Sequence, residues 1–225
     1  MQELVKKYNK ICFLNPMNKL VSSQFHQSML NFVTSMFKNG FKVSGLMTDN
    51  SVPGCRNGLV EAANDLYEED KPDLYLWVDS DQVFTFQNFM KLLHHYDMGD
   101  GSGVLGARVL MKNAAGVPLA CAYRKDSNGD YQCISSNLNG ILEVDAIKLG
   151  FCLVPPEVMN GMYAAHGKKQ FILTWLLDNL VDEEFYWCDL VRSLGYKIYV
   201  DNTVTVGHFN VALDENFLIN FSKNN

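Results

Sequence analysis

The residues of this chain best suited to chemistry are the aspartates of Asp79-Ser80-Asp81, which follow directly on the apolar run Leu74-Tyr75-Leu76-Trp77-Val78. In extended backbone, residues i and i+2 face the same side, so the spacing predicts that both carboxylates converge on one object. Converging carboxylates repel unless a cation lies between them. Hard divalent ions such as Mg²⁺ or Mn²⁺ prefer oxygen ligands and bridge carboxylate to phosphate. A chain this rich in aspartate holds about one such triplet by chance, so its weight comes from its place at the end of an apolar strand.

Such aspartates need a sheet to carry them, and the first half of the chain alternates strand and helix. Ile11-Cys12-Phe13-Leu14, closed by Asn15-Pro16, reads as a strand ending in a turn. Phe25, Met29, Phe32, Val33, Met36 and Phe37 recur with helical periodicity behind a cap at Ser22 or Ser23, and Asn39-Gly40 stops the helix. Phe41–Met47 reads as a second strand, Thr48–Gly54 as a loop and Arg56–Glu68 as a helix. Leu74–Val78 is a third strand, before a helix bearing Phe86, Phe89, Met90 and Leu93. That order predicts a parallel sheet with right-handed crossovers. The later pattern is mixed. Strands are expected over Val104–Met111, Ala120–Tyr123, Tyr131–Ile134, Ile141–Ala146, Phe151–Val154, Tyr196–Val200 and Val204–Val206. Ser127-Asn128-Gly129-Asp130 makes a hairpin turn, and helices are expected over Lys168–Leu180 and Glu183–Leu194. The fold class is therefore α/β: an open mixed sheet, parallel in the N-terminal half and flanked by helices. In such sheets ligands bind in the crevice beyond the carboxyl ends of the strands.

The chain has 225 residues, of which 48% are hydrophobic and 12% aromatic, with a net charge of −6. This composition excludes disordered, collagen-like and low-complexity classes. The acidic balance argues against gripping a nucleic-acid backbone by charge alone; a polyanionic acceptor would need a basic patch around Lys168, Lys169 or Arg124. Cys12, Cys55, Cys121, Cys133, Cys152 and Cys188 show neither CxxC nor zinc spacing, and Met1–Lys7 shows no apolar stretch behind a basic head. Reduced, mostly buried thiols in a soluble cytoplasmic chain are expected. Apolar runs such as Phe171–Leu177 are too short to span a bilayer. With no repeat, charge block or linker, one domain over 1–225 is expected.

Several pieces in order carry a resemblance. Pro53-Gly54-Cys55-Arg56-Asn57-Gly58, followed by Leu76-Trp77-Val78-Asp79-Ser80-Asp81, resembles the first half of GT-A-fold glycosyltransferases of the family 2 type. There an Arg-Asn pair opens the helix before the strand that delivers the DxD. Asp182-Glu183-Glu184-Phe185, then Arg192, Gly195-Tyr196-Lys197-Ile198, Val200-Asp201 and Val206-Gly207-His208, is similar to that family's later acidic pair, arginine, glycine and closing Gly-His. The resemblance runs from residue 10 to residue 210. It implies a Rossmann-like GT-A sheet with a nucleotide-sugar-binding half over 1–100 and an acceptor-binding, catalytic half over 101–225. The implied reaction is metal-dependent transfer of a sugar from a nucleoside diphosphate sugar, UDP being the expected nucleotide. The acceptor is a hydroxyl on a glycan, a protein or a modified nucleobase. Mn²⁺ or Mg²⁺ is the implied cofactor, and stand-alone domains of this kind occur in viruses and bacteria.

Carried over by residue, Asp81 resembles the metal-binding aspartate and Asp79 the one that faces the ribose or supports the metal, with Ser80 between them on the donor side. His208 resembles a further metal ligand, a role neutral imidazole suits. Asn15, Pro16 and Asp49 end the first two strands, where this family recognises nucleobase and ribose. Arg56 is expected either to bind diphosphate or base, or to be a surface cation beginning a helix. Gly150, in Lys148-Leu149-Gly150-Phe151, resembles the segment that approaches the donor sugar. Asp182, Glu183 and Glu184 stand where the family has its general base, although an acidic first turn also compensates a helix dipole without catalysis. The second position is Glu rather than Asp, so the base stays open among the three. Asp79, Asp81 and these three acids are expected to share one cleft, a divalent ion offsetting part of their charge. Inversion is the expected outcome and retention the alternative. A sugar nucleotidyltransferase would need a Gly- and base-rich loop where Asn15-Pro16-Met17-Asn18-Lys19 stands, and a non-catalytic nucleotide-sugar- or glycan-binding module would show a broken DxD. His26, His94, His95 and His166 lack comparable context, and His94 and His95 are expected on a helix surface.

Overall fold

The computed structural model describes residues 1–17, 21–48, 52–99, 101–112, 118–134, 138–176 and 179–208. The first half runs α1 (Gln2–Lys7), β1 (Lys10–Pro16), α2 (Ser23–Lys38), β2 (Lys42–Thr48), α3 (Val52–Asn64), β3 (Leu74–Val78), β4 (Gln82–Val83) and α4 (Phe86–Met98). There follow β5 (Val104–Lys112), β6 (Pro118–Ala120), β7 (Ala122–Lys125), β8 (Tyr131–Cys133), β9 (Ile141–Val144), β10 (Ala146–Ile147) and β11 (Phe151–Val154). The last stretch holds α5 (Pro156–His166), β12 (Thr174–Leu176), β13 (Asn179–Val181), α6 (Glu183–Ser193) and β14 (Ile198–His208).

The main sheet has the order β2-β1-β3-β11-β5-β14-β4, with β6 beside β5 and β9 beside β14. β1 pairs in parallel with β2 and β3, β11 is antiparallel to both β3 and β5, and β5 and β14 run in parallel. The expected mixed sheet, parallel in its N-terminal half, is therefore present. Strand alternation divides the core in two. Cys12, Leu14, Tyr75 and Trp77 face a cluster with Leu59 of α3, Met162 of α5 and Trp187 of α6. Ile11, Phe13, Leu74, Leu76 and Val78 face the other, with Phe32 of α2 and Leu93 of α4. Burial on both faces explains why β1 and β3 read as continuous apolar runs. Two of the early helices start on good caps: Ser22 Oγ accepts from Phe25 N ahead of α2, and Thr85 and Asn88 form a capping box on α4.

Several sequence expectations are corrected. Lys168–Leu180 is not a helix. Residues 167–173 form an irregular strap, and β12 pairs antiparallel with β13; residues 177 and 178 lie outside the described residues. The side chain of Asn57 on α3 clamps the strap, its Oδ1 accepting from Gln170 N and Phe171 N while Nδ2 donates to Phe171 O. A short apolar run reads equally as strand or helix, and here the tertiary clamp decides. The helix of this region lies earlier, α5, opened by Pro156 at its first position. α3 begins at Val52 rather than Arg56, and the two last expected strands are one, β14, with a register shift between Asp201 and Thr205. His94 is exposed as expected, but the His95 ring turns inward onto the buried carboxylate of Asp201. All six cysteines are free thiols, Cys133 half-buried and the rest buried. No helix among the described residues is long and apolar enough to cross a membrane.

Phe32 is fully buried, its ring centroid 5.3 to 5.4 Å from those of Phe13, Phe84 and Phe89. We expect Phe32→Ala to cost about 3–5 kcal/mol. Urea titration should show a lower midpoint at unchanged slope.

Candidate active site

β1 connects through α2 to one side of the sheet, while the chain leaving β3 continues to the other. This is the switch point at which open α/β sheets leave a crevice. A cleft of about 80 Å³ lies there, lined by Pro16, Met17, Cys55, Arg56, Asp79, Ser80 and Asp81. Asn15 stands behind it, buried, its Nδ2 donating to Val78 O and so joining the ends of β1 and β3. Gly150 does not line the cleft. Its carbonyl accepts from Asp79 N at 3.0 Å, and a Cβ on it would meet Gln82 Nε2 at 2.9 Å. The close approach a glycine permits is thus to Gln82. Asp49 lies outside the described residues.

The two aspartates line one cleft, but they reach it through a turn and not along extended backbone. After Val78 the chain turns, with Gln82 N donating to Asp79 O at 3.2 Å. The carboxylates consequently take different partners. Asp79 accepts from Arg56 Nη2 at 3.1 and 3.2 Å, whereas Asp81 Oδ2 lies 3.2 Å from His208 Nε2. Backbone pairing delivers the histidine: Gly207 and His208 of β14 lie in antiparallel register with Val83 and Gln82 of β4. Burial tends to raise the Asp81 pKa, but the hydrogen bond and charge of His208 and the Gln82 amide outweigh it and leave it lowered. His208 is raised, chiefly by its bond to Asp81.

Arg56 is neither a surface cation nor a group reaching into solvent. It is 3% exposed, with Nη2 2.9 Å from Glu184 Oε1 and Nε 3.7 Å from Glu183 Oε1, besides its bonds to Asp79. Its guanidinium carbon lies 5.8 Å from the centroid of Trp77 and 5.6 Å from that of Phe171. Burial works against its charge, but Asp79, Glu184 and Glu183 more than compensate and raise its pKa. Nη1 is buried without a hydrogen-bond partner, on a residue that lines the cleft. Burial also pushes Asp79 up to about 6 against the pull of Arg56.

At the head of α6, both oxygens of Glu184 are taken: Oε1 by Arg56 and by Leu149 N at 2.7 Å, Oε2 by Lys148 Nζ at 2.7 Å. Lys148 also pairs with Asp182. The ligand atoms of Asp182, Glu183 and Glu184 lie within 4.8 Å of one another, yet their protonation differs. Burial favours a high pKa for Asp182, but the Glu183 hydrogen bond and Lys148 pull it down to about 2. Glu183 is pushed up to about 7 by burial and by the hydrogen bond and charge of Asp182. Arg56 therefore draws Asp79, Glu183 and Glu184 together and Lys148 ties Asp182 to Glu184, while Asp81 stands apart on His208. Of the five acids expected in one cleft, only Asp79 and Asp81 line it. Lys148 was legible only as part of a segment, since nothing in Lys148-Leu149-Gly150 marks its side chain as a counter-charge.

The donor set of Asp81 and His208 fits one hard divalent ion. The two groups bond to each other at 3.2 Å, so the carboxylate and the imidazole stand side by side. Carboxylate with imidazole suits Mn²⁺.

No protein-family model matches the chain, and no curated protein matches it. Among solved structures it is similar to A197 from STIV, with TM-score 0.55 and 18% identity over 92% of this chain and 87% of that one. A looser likeness is to a glycosyltransferase involved in the glycosylation of the major capsid of PBCV-1, with TM-score 0.48 and 11% identity over 88% and 92%. Another is to a CMP:2-keto-3-deoxy-manno-octonic acid synthetase complexed with CTP, with TM-score 0.44 and 10% identity over 96% and 97%. The likeness to A197 is one of fold.

Removing the Arg56 charge takes the contacting cation from Asp79 and Glu183 and leaves Glu184 with Lys148 alone. Arg56→Met should destabilise the protein by about 3–5 kcal/mol at pH 7. The loss should shrink toward pH 5, as Asp79 and Glu183 take up protons. In the intact protein Glu183, raised from 4.5 to about 7, contributes stability that is full below pH 4.5 and lost as pH rises through 7. Glu183→Gln should flatten that decline in urea midpoints measured from pH 4.5 to 8.

Proposed function

We propose that the protein is a metal-dependent glycosyltransferase that moves a sugar from a nucleoside diphosphate sugar to an acceptor hydroxyl, with inversion. The observation that carries this reading is the β14–β4 register, which sets His208 against Asp81 at the rim of the cleft beyond β1 and β3. A carboxylate–imidazole pair beside a switch-point crevice suits a divalent ion that binds a diphosphate. The resemblance in sequence order supports the same reading.

Asp81 and His208 would hold the ion, which when bound offsets the negative charge on the departing diphosphate. Asp79, fixed by Arg56, faces the same cleft and can accept a hydrogen bond from a donor hydroxyl. The unpartnered Nη1 of Arg56 supplies a buried cationic donor on the same wall. Glu183 is the base: its pKa of about 7 matches neutral operation. Asp182, near 2, is too weak a base, and Glu184 is committed on both oxygens. Asp182 and Lys148 therefore act as positioning residues, the first by its hydrogen bond to Glu183 and the second by holding Asp182 ionised. As the acceptor oxygen attacks the anomeric carbon, its proton passes to Glu183 and the bond to the diphosphate oxygen breaks.

Thermal-shift screening of nucleoside diphosphates with and without Mn²⁺ tests class, donor and metal together. A metal-dependent shift with UDP is expected, and Asp81→Ala should remove it. Glu183→Gln should keep the shift while lowering release of the diphosphate from the matching sugar nucleotide by about 100-fold or more. Pyrophosphate as the product, or no metal-dependent shift with any nucleoside diphosphate, would sink the reading. A product anomer that keeps the donor configuration would leave transfer standing but overturn inversion.

A further inference from the structure

The larger cavity of about 210 Å³ lies away from the cleft, where β5 and β14 begin and α4 ends. β5 and β14 run in the same sense as β1 and β3, so this cavity opens at the opposite end of the sheet. His95, Tyr96, Leu105, Ile141 and Tyr199 line it, together with the side-chain-free surfaces of Gly99, Gly101 and Gly103.

One side chain in it is held with unusual definition. Asp201 is fully buried, and its Oδ1 accepts from Thr203 N at 2.9 Å and Thr203 Oγ1 at 2.7 Å. Its Oδ2 lies 2.5 Å from His95 Nδ1. Nδ1 faces this carboxylate as its donor, and in the tautomer that carries its proton there Nε2 is an acceptor. Among the described residues no lysine or arginine lines the cavity, α4 points its carbonyl end there, and a buried carboxylate stands behind the histidine. All three features disfavour an anion. With a mostly apolar wall and few polar side-chain groups, His95 and the phenols of Tyr96 and Tyr199, a polyhydroxylated ring would leave hydroxyls unmet at a cost of about 1–3 kcal/mol each. A void of about 150 Å³ already accepts benzene.

We propose that this cavity is a second binding site, independent of the cleft, for a small uncharged aromatic or heteroaromatic ring bearing one N–H or O–H donor. The ring lies among Tyr96, Leu105, Ile141 and Tyr199, and its donor bonds His95 Nε2.

Indole and benzofuran test this directly, because they share a shape and differ in the N–H. In ¹H–¹⁵N spectra of the full chain, indole should give saturable shifts centred on residues 95–105 and 199. Benzofuran should bind about tenfold more weakly. His95→Asn keeps a donor toward Asp201 and removes Nε2, so it should erase that tenfold preference. Ile141→Trp, at a half-exposed position on the rim, should abolish binding of both while the spectrum stays folded. Nucleoside diphosphate with Mn²⁺ should leave indole binding unchanged. No saturable shift up to the solubility limit overturns the proposal, as does equal binding of the two rings, or a preference that survives His95→Asn.

Discussion

One buried cation organises this site. Arg56 lies beneath the cleft and pairs with carboxylates from two remote parts of the chain, Asp79 after β3 and Glu183 and Glu184 on α6. Each carboxylate alone would resist burial, and so would the guanidinium; together they tolerate it because every charge has an opposite within contact distance. Such a cluster adds little net stability over an apolar core of the same volume. Its effect is positional: α6 cannot slide along the sheet without stranding a charge. The planar fork of arginine serves several oxygens at once, which the point charge of lysine cannot do.

Lys148 repeats the device on the other side of Glu184. Between them the two cations divide the labour of the acidic run at the head of α6. Glu184 is consumed as a structural tie and Asp182 is held ionised, which leaves Glu183 as the carboxyl that titrates near neutrality. Three adjacent acids thus acquire three different characters from their neighbours rather than from their own chemistry. The acidic turn also lies at a helix N-terminus, so compensation of the dipole and placement of a proton acceptor are not rival explanations here.

The sheet was legible because its strands are buried on both faces and its early helices carry clear caps and periodicity. Leu74–Val78 and the helix through Phe25, Phe32 and Met36 announce themselves. What the sequence left open depended on partners far along the chain. Arg56 reads as a cation at a helix start until one sees that α6 brings Glu183 and Glu184 to it. The aspartates of Asp79-Ser80-Asp81 are marked by position, but their turn, and hence their different partners, is set by the Gly150 carbonyl and by β4. The strap through Phe171 is as apolar as a helix, and only Asn57, on another element, decides its shape. His95 looked like a surface residue because its partner Asp201 is remote in sequence.

The ladder of two residue pairs between β14 and β4 also orders events in time. It closes a loop of more than half the chain, and contacts at such separation form late in folding. A chain emerging from its N-terminus at about 5–20 residues per second exposes β1, β3 and both aspartates well before β14. The cleft can take shape early, whereas Asp81 acquires its imidazole neighbour only once the last described strand has docked. The pairing of Asp81 with His208 is therefore a property of the finished fold and not of the half that carries the aspartates.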